Sequence, residues 1–138
     1  MRAEYVEAVL DVAELIPPGQ VLSYGDIAVL LERGGPRQVG SVMSHHGSAV
    51  AWWRVIRAGG QPPQGHDAEA LTHYREEATA LKGDASAHRP GERPAWRVNM
   101  GQARWNPSEE DFLCVDAIAA RLHAVEGAMS VPHDGLDA

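Results

Sequence analysis

The run Ala51-Trp52-Trp53-Arg54-Val55-Ile56 places two adjacent indoles beside a guanidinium, side chains well suited to gripping a flat ring. Aromatic faces stack on bases, and an arginine holds a phosphate or lies over a ring plane. An indole offers one N–H donor and neither attacks as a nucleophile nor exchanges a proton near neutral pH. The segment is built to hold something rather than to react with it. Two other sets of residues could do chemistry. Cys114 is the only thiol, but Phe112-Leu113-Cys114-Val115 sits in a helical pattern that predicts a buried structural cysteine. His45, His46, His66 and His73 are candidate metal ligands. Adjacent histidines point apart, however, and no Cys or carboxylate cluster completes a tetrahedral set, so neither metal nor cofactor is expected.

A chain of 138 residues fits one modest domain with a real hydrophobic core. No apolar run is long enough to cross a bilayer, Met1-Arg2-Ala3-Glu4 does not open a signal peptide, and a lone cysteine cannot form an intrachain disulfide. A cytoplasmic protein without a membrane partner is expected, nucleoid-associated if bacterial. The net charge of −7 argues against nucleic acid only when summed. Over residues 21–60, Arg33, Arg37, Arg54 and Arg57 face Asp26 and Glu32, a local balance of +2 that leaves −9 for the remainder. A mildly basic segment within an acidic protein binds DNA without strong non-specific affinity.

Four helices are expected to position these residues, followed by a fifth near the C-terminus. Tyr5, Val6, Val9, Leu10 and Ala13 recur at helical spacing over residues 3–16, stopped by Pro17-Pro18-Gly19. A second helix is predicted over 25–32, and a third from Pro36 to His46 after the Gly34-Gly35 turn, with Val39, Val42 and Met43 inward. This pair reads as a helix-turn-helix, although an ordinary packed helical hairpin gives the same pattern. Trp53, Val55 and Ile56 suggest a buried extended segment, and Leu71, Tyr74, Ala78 and Leu81 define a helix over 67–82. Residues 83–95 read as a mobile connector, with an extended piece around Trp96 to Trp105. Ser108 is placed to cap a last helix reaching about Val125, ahead of a disordered tail.

Ile16-Pro17-Pro18-Gly19-Gln20-Val21-Leu22-Ser23-Tyr24-Gly25-Asp26-Ile27-Ala28 resembles the opening of the O6-alkylguanine-DNA alkyltransferase DNA-binding domain. Pro36-Arg37-Gln38-Val39-Gly40-Ser41-Val42-Met43 resembles that family's recognition helix, and Trp52-Trp53-Arg54-Val55-Ile56 lies where active members carry Cys-His-Arg-Val and a further apolar residue. The resemblance covers about residues 4–82. It implies a mainly α, winged-helix/helix-turn-helix-type DNA-binding domain over 1–82; outside it, residue composition and pattern predict a connector over 83–106 and, over 107–138, an acidic C-terminal helix and disordered tail.

By this resemblance the alkyl-accepting cysteine falls on Trp52 and its assisting histidine on Trp53, so no catalytic residue is expected, because indole cannot replace a thiolate. What is implied is the non-enzymatic, alkyltransferase-like branch, which binds O6-alkylguanine in duplex DNA, flips it into an apolar pocket and marks it for nucleotide-excision repair. Tyr24 matches the tyrosine that crowds the phosphate 3′ to the lesion, and Arg37 the finger that fills the space left by the flipped base. Gln38, Gly40 and Ser41 complete the expected DNA-binding set, the small residues allowing close minor-groove approach. The expected lesion pocket comprises Tyr24, Trp52, Trp53, Arg54, Gly59 and Gly60, with the 61–66 loop as part of its far wall. Within it, Arg54 braces the site, and Trp53 reads equally as a core tryptophan. The family's asparagine before this segment is missing, and His45 and His46 lie near its place. The implied partners are damaged duplex DNA and nucleotide-excision repair proteins, met by a monomer. The rival is a regulator reading undamaged sequence through helix 36–46, where only Arg37 and Gln38 suit base-edge contacts.

Overall fold

The computed structural model describes residues 2–86 and 92–136, with side chains described as far as residue 128. Part of the expected connector and the last residues of the expected tail lie outside these limits.

The fold begins with three short helices whose ends are set by local chemistry. Helix α1 (Ala3–Leu15) buries Tyr5, Ala8, Val9, Val12 and Ala13. Ile16 leaves the helix in an extended conformation before the proline pair. Helix α2 (Tyr24–Leu31) starts at a capping box, in which Ser23 Oγ accepts from Asp26 N–H and Asp26 Oδ2 accepts from Ser23 N–H. Helix α3 (Pro36–His46) has proline at its first turn, where a missing N–H costs nothing. Tyr5 Oη donates to Arg33 O at 3.1 Å, which fixes the turn between α2 and α3. Val39, Val42 and Met43 pack with Ile27, Leu31 and the α1 stripe as one core.

Two tight 3₁₀ turns, at Gly47–Ala49 and Trp52–Arg54, carry the chain from α3 back across the molecule. Strand β2 (Val55–Ile56) then pairs in parallel with β1 (Leu22–Ser23), Leu22 opposite Val55 and Ser23 opposite Ile56. Trp53 therefore belongs to a turn rather than to the buried strand, which is only Val55 and Ile56. Helix α4 (Asp67–Glu77) is shorter than the 67–82 expected. It ends at Ala78, which adopts a left-handed φ of 57°. Leu81, expected as its last inward residue, instead lies in β3 (Leu81–Gly83), paired antiparallel with β4 (Trp96–Val98).

This hairpin and α5 (Met100–Ala103) close a second core of Val21, Ile56, Ala70, Leu71, Tyr74, Trp96, Val98 and Ala103. Helix α6 (Glu109–Leu136) opens on the expected Ser108, whose Oγ accepts from Asp111 N–H at 3.2 Å. It runs past Val125, where polar contacts tie it to the end of α2 and the turn after it: Arg33 pairs with Glu126 at 2.6 Å and His123 Nε2 meets Leu31 O at 2.8 Å. Its Val115, Ala119 and Leu122 enter the same core as α1 and α3. Cys114, expected to be buried, is exposed on this helix, because Val115, Ala119 and Leu122 define the inward face and Cys114 lies off it.

Candidate nucleic-acid interface

Helical periodicity sorts α3 into two faces. Val39 and Val42 turn into the core, and Arg37, Gly40, Ser41 and Ser44 share the opposite side at i, i+3, i+4 and i+7. Arg37 is exposed, while Gly40 and Ser41 are half-buried. A Cβ at Gly40 would meet the Tyr24 ring at 3.6 Å, an ordinary van der Waals distance, so the ring lies alongside α3 with room for a small side chain between them. Gln38 is partly spent on structure, its Oε1 accepting from Gly35 N–H at 3.0 Å to cap the helix.

Beside this face lies an open cleft of about 510 Å³. Its lining combines Tyr24, Gly40, Met43 and Ser44 from α2 and α3, Gly47 and Trp52 from the two turns, and Arg57, Pro63, Gln64, His66 and Glu69 from the segment that follows. The size suits a flat heterocycle, since small-molecule sites run roughly 300–1,000 Å³. Burial pushes the Tyr24 phenol above its ordinary value, against an opposing pull from Arg57, so its hydroxyl is neutral at physiological pH. Trp52 meets the edge of Trp53 at 5.7 Å and tilts against His66 at 5.4 Å between ring centres. It packs against both hydrophobic cores while presenting a surface to the cleft.

Trp53 and Arg54 do not line this cleft. The Trp53 ring lies flat on His73, 3.5 Å between centres and 4° from parallel. Its Nε1 donates to Glu77 Oε2 at 2.9 Å. Arg54 makes a two-point contact with the same carboxylate, at 2.6 and 3.1 Å, and donates to Ile16 O at 3.0 Å. Gly19 N–H completes the set on Glu77 Oε1 at 2.9 Å. Burial would raise the Glu77 pKa, but hydrogen bonds from Arg54, Gly19 and Trp53, together with the Arg54 charge, outweigh it and hold the carboxyl below its ordinary range. Tyr74, itself buried, donates to Trp53 O at 2.7 Å. The clamp thus ties the end of α1, the Trp52–Arg54 turn and the end of α4 together.

Gly59 and Gly60 also fall outside the cleft. Gly60 has φ of 93° and lies so close to Val98 O that any side chain would collide with it. Its role is to dock the 57–62 turn on β4, with Val98 N–H donating to Gly60 O at 2.9 Å. The far wall comes instead from Pro63, Gln64 and His66 of the expected 61–66 loop, with Arg57 and Glu69. His45 and His46 are exposed at the end of α3 and are not among the lining residues. No group of three or more His, Cys, Asp or Glu residues is placed to share a metal among the described residues.

Sequence reasoning missed Glu77, His73, Arg57 and the Met43, Ser44 and Gly47 part of the wall. A signal for the clamp did exist: His66, Ala70, His73 and Glu77 fall at i, i+4, i+7 and i+11, one stripe of a helix. Nothing in the sequence said that Trp53 and Arg54 would meet that stripe.

Residues 4–82 match the model of the 6-O-methylguanine DNA methyltransferase DNA-binding domain, and the chain belongs to that family. Among solved structures it is similar to S. pombe Atl1 in complex with damaged DNA containing O6-carboxymethylguanine, at 26% identity and a TM-score of 0.62. It is also similar to S. pombe ATL in complex with DNA, at 28% identity and a TM-score of 0.59. Each likeness covers 78% of this chain and all of the other. No curated protein sequence matches the chain.

Proposed function

We propose that the protein binds duplex DNA containing an O6-alkylated guanine, takes the modified base into the cleft beside α3, leaves the alkyl group in place and so marks the site for nucleotide-excision repair. The observation that carries this reading is Trp52, an indole lining the cleft; by the resemblance of its segment, active members carry their alkyl-accepting cysteine there. The likeness to Atl1 bound to DNA with O6-carboxymethylguanine supports the ligand class.

Each residue has a physical task in this scheme. Arg37, exposed near the start of α3, enters the duplex and fills the gap left by the base. Tyr24 crowds the backbone beside it, its ring partly buried against the first core. Extrusion costs a few kcal/mol, less for a damaged pair. Stacking on Trp52 returns about 1–3 kcal/mol. The apolar face of Trp52 rewards buried area rather than one atom, so alkyl groups of several sizes are accommodated. Transfer needs a thiolate, and Cys114 on α6 is not among the cleft residues.

The test is a binding titration with duplexes carrying one O6-methylguanine, one bulkier O6-alkylguanine, or guanine. Both lesions should bind more tightly than guanine. Arg37→Ala should weaken lesion binding roughly tenfold with little change in folding. Tyr24→Ala should weaken it similarly while also losing stability, because its ring packs against the first core. Equal affinity for all three duplexes removes lesion recognition. Intact mass after incubation should stay constant for the natural protein, and Trp52→Cys should gain little transfer because Trp53 cannot help deprotonate the thiol. An added alkyl mass on the natural protein removes the non-enzymatic reading.

A further inference from the structure

A second cleft of about 610 Å³ adjoins the first, with Arg57 in the wall of both. Arg57, Lys82, Arg93 and Arg97 line it, and no carboxylate does among the described residues. Lys82 and Arg97 are direct partners in the β3–β4 ladder, so their side chains leave the same face of the hairpin. Their neighbours in the ladder, Leu81 and Val98, turn inward to the second core. Like charges set opposite each other destabilise a strand pair, and both residues are exposed, so core packing does not demand them.

Among the described residues, no ion pair offsets this repulsion: none of the four cations is in one. Of the nearby acids, Asp84 accepts from Ser86 N–H at 2.9 Å and is engaged there, and Glu92 is exposed beside Arg93 without lining the cleft. Arg57 is held in place between the clefts, donating from Nε and Nη2 to Pro62 O at 3.2 and 2.8 Å. A local rule broken without compensation inside the fold marks a functional site.

We infer that this basic hairpin cleft is a second DNA contact, holding backbone phosphates of the strand that continues from the nucleotide in the first cleft. The inference rests on the DNA-binding reading above and extends it to a surface that reaches past the family match through Arg93 and Arg97. Its contribution is independent of sequence and lesion, because phosphate contacts position a duplex without reading it. It also explains how an acidic protein holds DNA: the charge that matters is concentrated on one hairpin and its neighbouring loop.

The experiment measures binding of the full chain to a lesion duplex and an unmodified duplex across a salt series. Lys82→Ala combined with Arg97→Ala should weaken both duplexes by the same factor, roughly tenfold, and make the salt slope less negative by about 1.8. Arg97→Gln, the smaller change, should shift the slope by about 0.9. Thermal midpoints should equal or exceed that of the natural protein, since a repulsive pair is removed. Unchanged affinity and slope in the folded variants overturn the inference. So does submillimolar binding of inorganic pyrophosphate to this cleft with the duplex slope unaffected by the variants, which would assign the site to a free anion. Loss of lesion preference by the natural protein is read separately, from the ratio of the two duplexes. Were that ratio one while the hairpin variants still lost affinity, lesion recognition would fall and the second contact would stand.

Discussion

Trp52 and Trp53 are neighbours in the chain, yet they serve opposite sides of one turn. On the closed side, Trp53, Arg54, Tyr74 and Glu77 satisfy one another, with the Glu77 carboxylate accepting from three residues. On the open side, Trp52 meets a cleft beside an α3 face of small and polar residues. The contrast teaches a division of labour. A binding surface must leave groups unspent for its ligand, so the cost of holding the Trp52 turn in place falls on contacts behind it.

That division breaks or sharpens under substitution. The largest expected effect is Glu77→Ala, at about 3 kcal/mol of stability, because it strands the largely buried Arg54 guanidinium and leaves Gly19 N–H and Trp53 Nε1–H without their acceptor. Urea unfolding measures it, and a loss under about 1 kcal/mol would mean that the clamp does not hold the turn. Next comes Trp52→Ala, which should cost about 2 kcal/mol of stability, since the ring packs against both cores while only partly buried. It should also weaken lesion binding roughly tenfold, so both assays must move together. Tyr74→Phe, which removes only the hydroxyl on Trp53 O, should cost about 1 kcal/mol and leave DNA affinity nearly unchanged.

Arg37→Ala is the mirror case on the open side. Its stability should stay within about 0.5 kcal/mol of the natural protein while lesion affinity falls. If unfolding moved and binding did not, the two sides would have been assigned the wrong way round.

The smallest effect is on pH dependence. Glu77 titrates below its ordinary value of 4.5 in the folded protein, so the unfolded chain takes up this proton first as the medium acidifies. Its contribution is therefore complete above about pH 4.5 and is lost as pH falls through the lower folded value. Glu77→Gln should flatten that acid limb, and an unchanged limb would show that the carboxylate is not coupled to folding.

The helical part of the molecule was readable because its signals are local. Pro36 and the Gly34-Gly35 turn mark the start of α3, and Val39, Val42 and Met43 mark its inner face, all within two turns of chain. The same holds for Ser108 at the start of α6. Pairings across long separations were not readable. Leu81 continues a helical stripe as plausibly as it starts a strand, and only Val98 across the hairpin decides for the strand. Gly59 and Gly60 look like a pocket wall in one dimension, whereas Gly60 is a docking point for β4. Cys114 follows an apolar run but faces out, because α6 uses Val115, Ala119 and Leu122 to pack on its neighbours.

Residue order alone established the family of the chain, the three N-terminal helices and the two adjacent indoles ahead of Arg54. Those features depend on neighbours a few positions apart, where periodicity and capping act directly. Which indole faces the cleft, which arginine is locked to Glu77 and which cations gather on the hairpin depend on segments distant along the chain being packed together. Such partners are chosen by shape and charge in three dimensions, and no spacing rule along the chain encodes them.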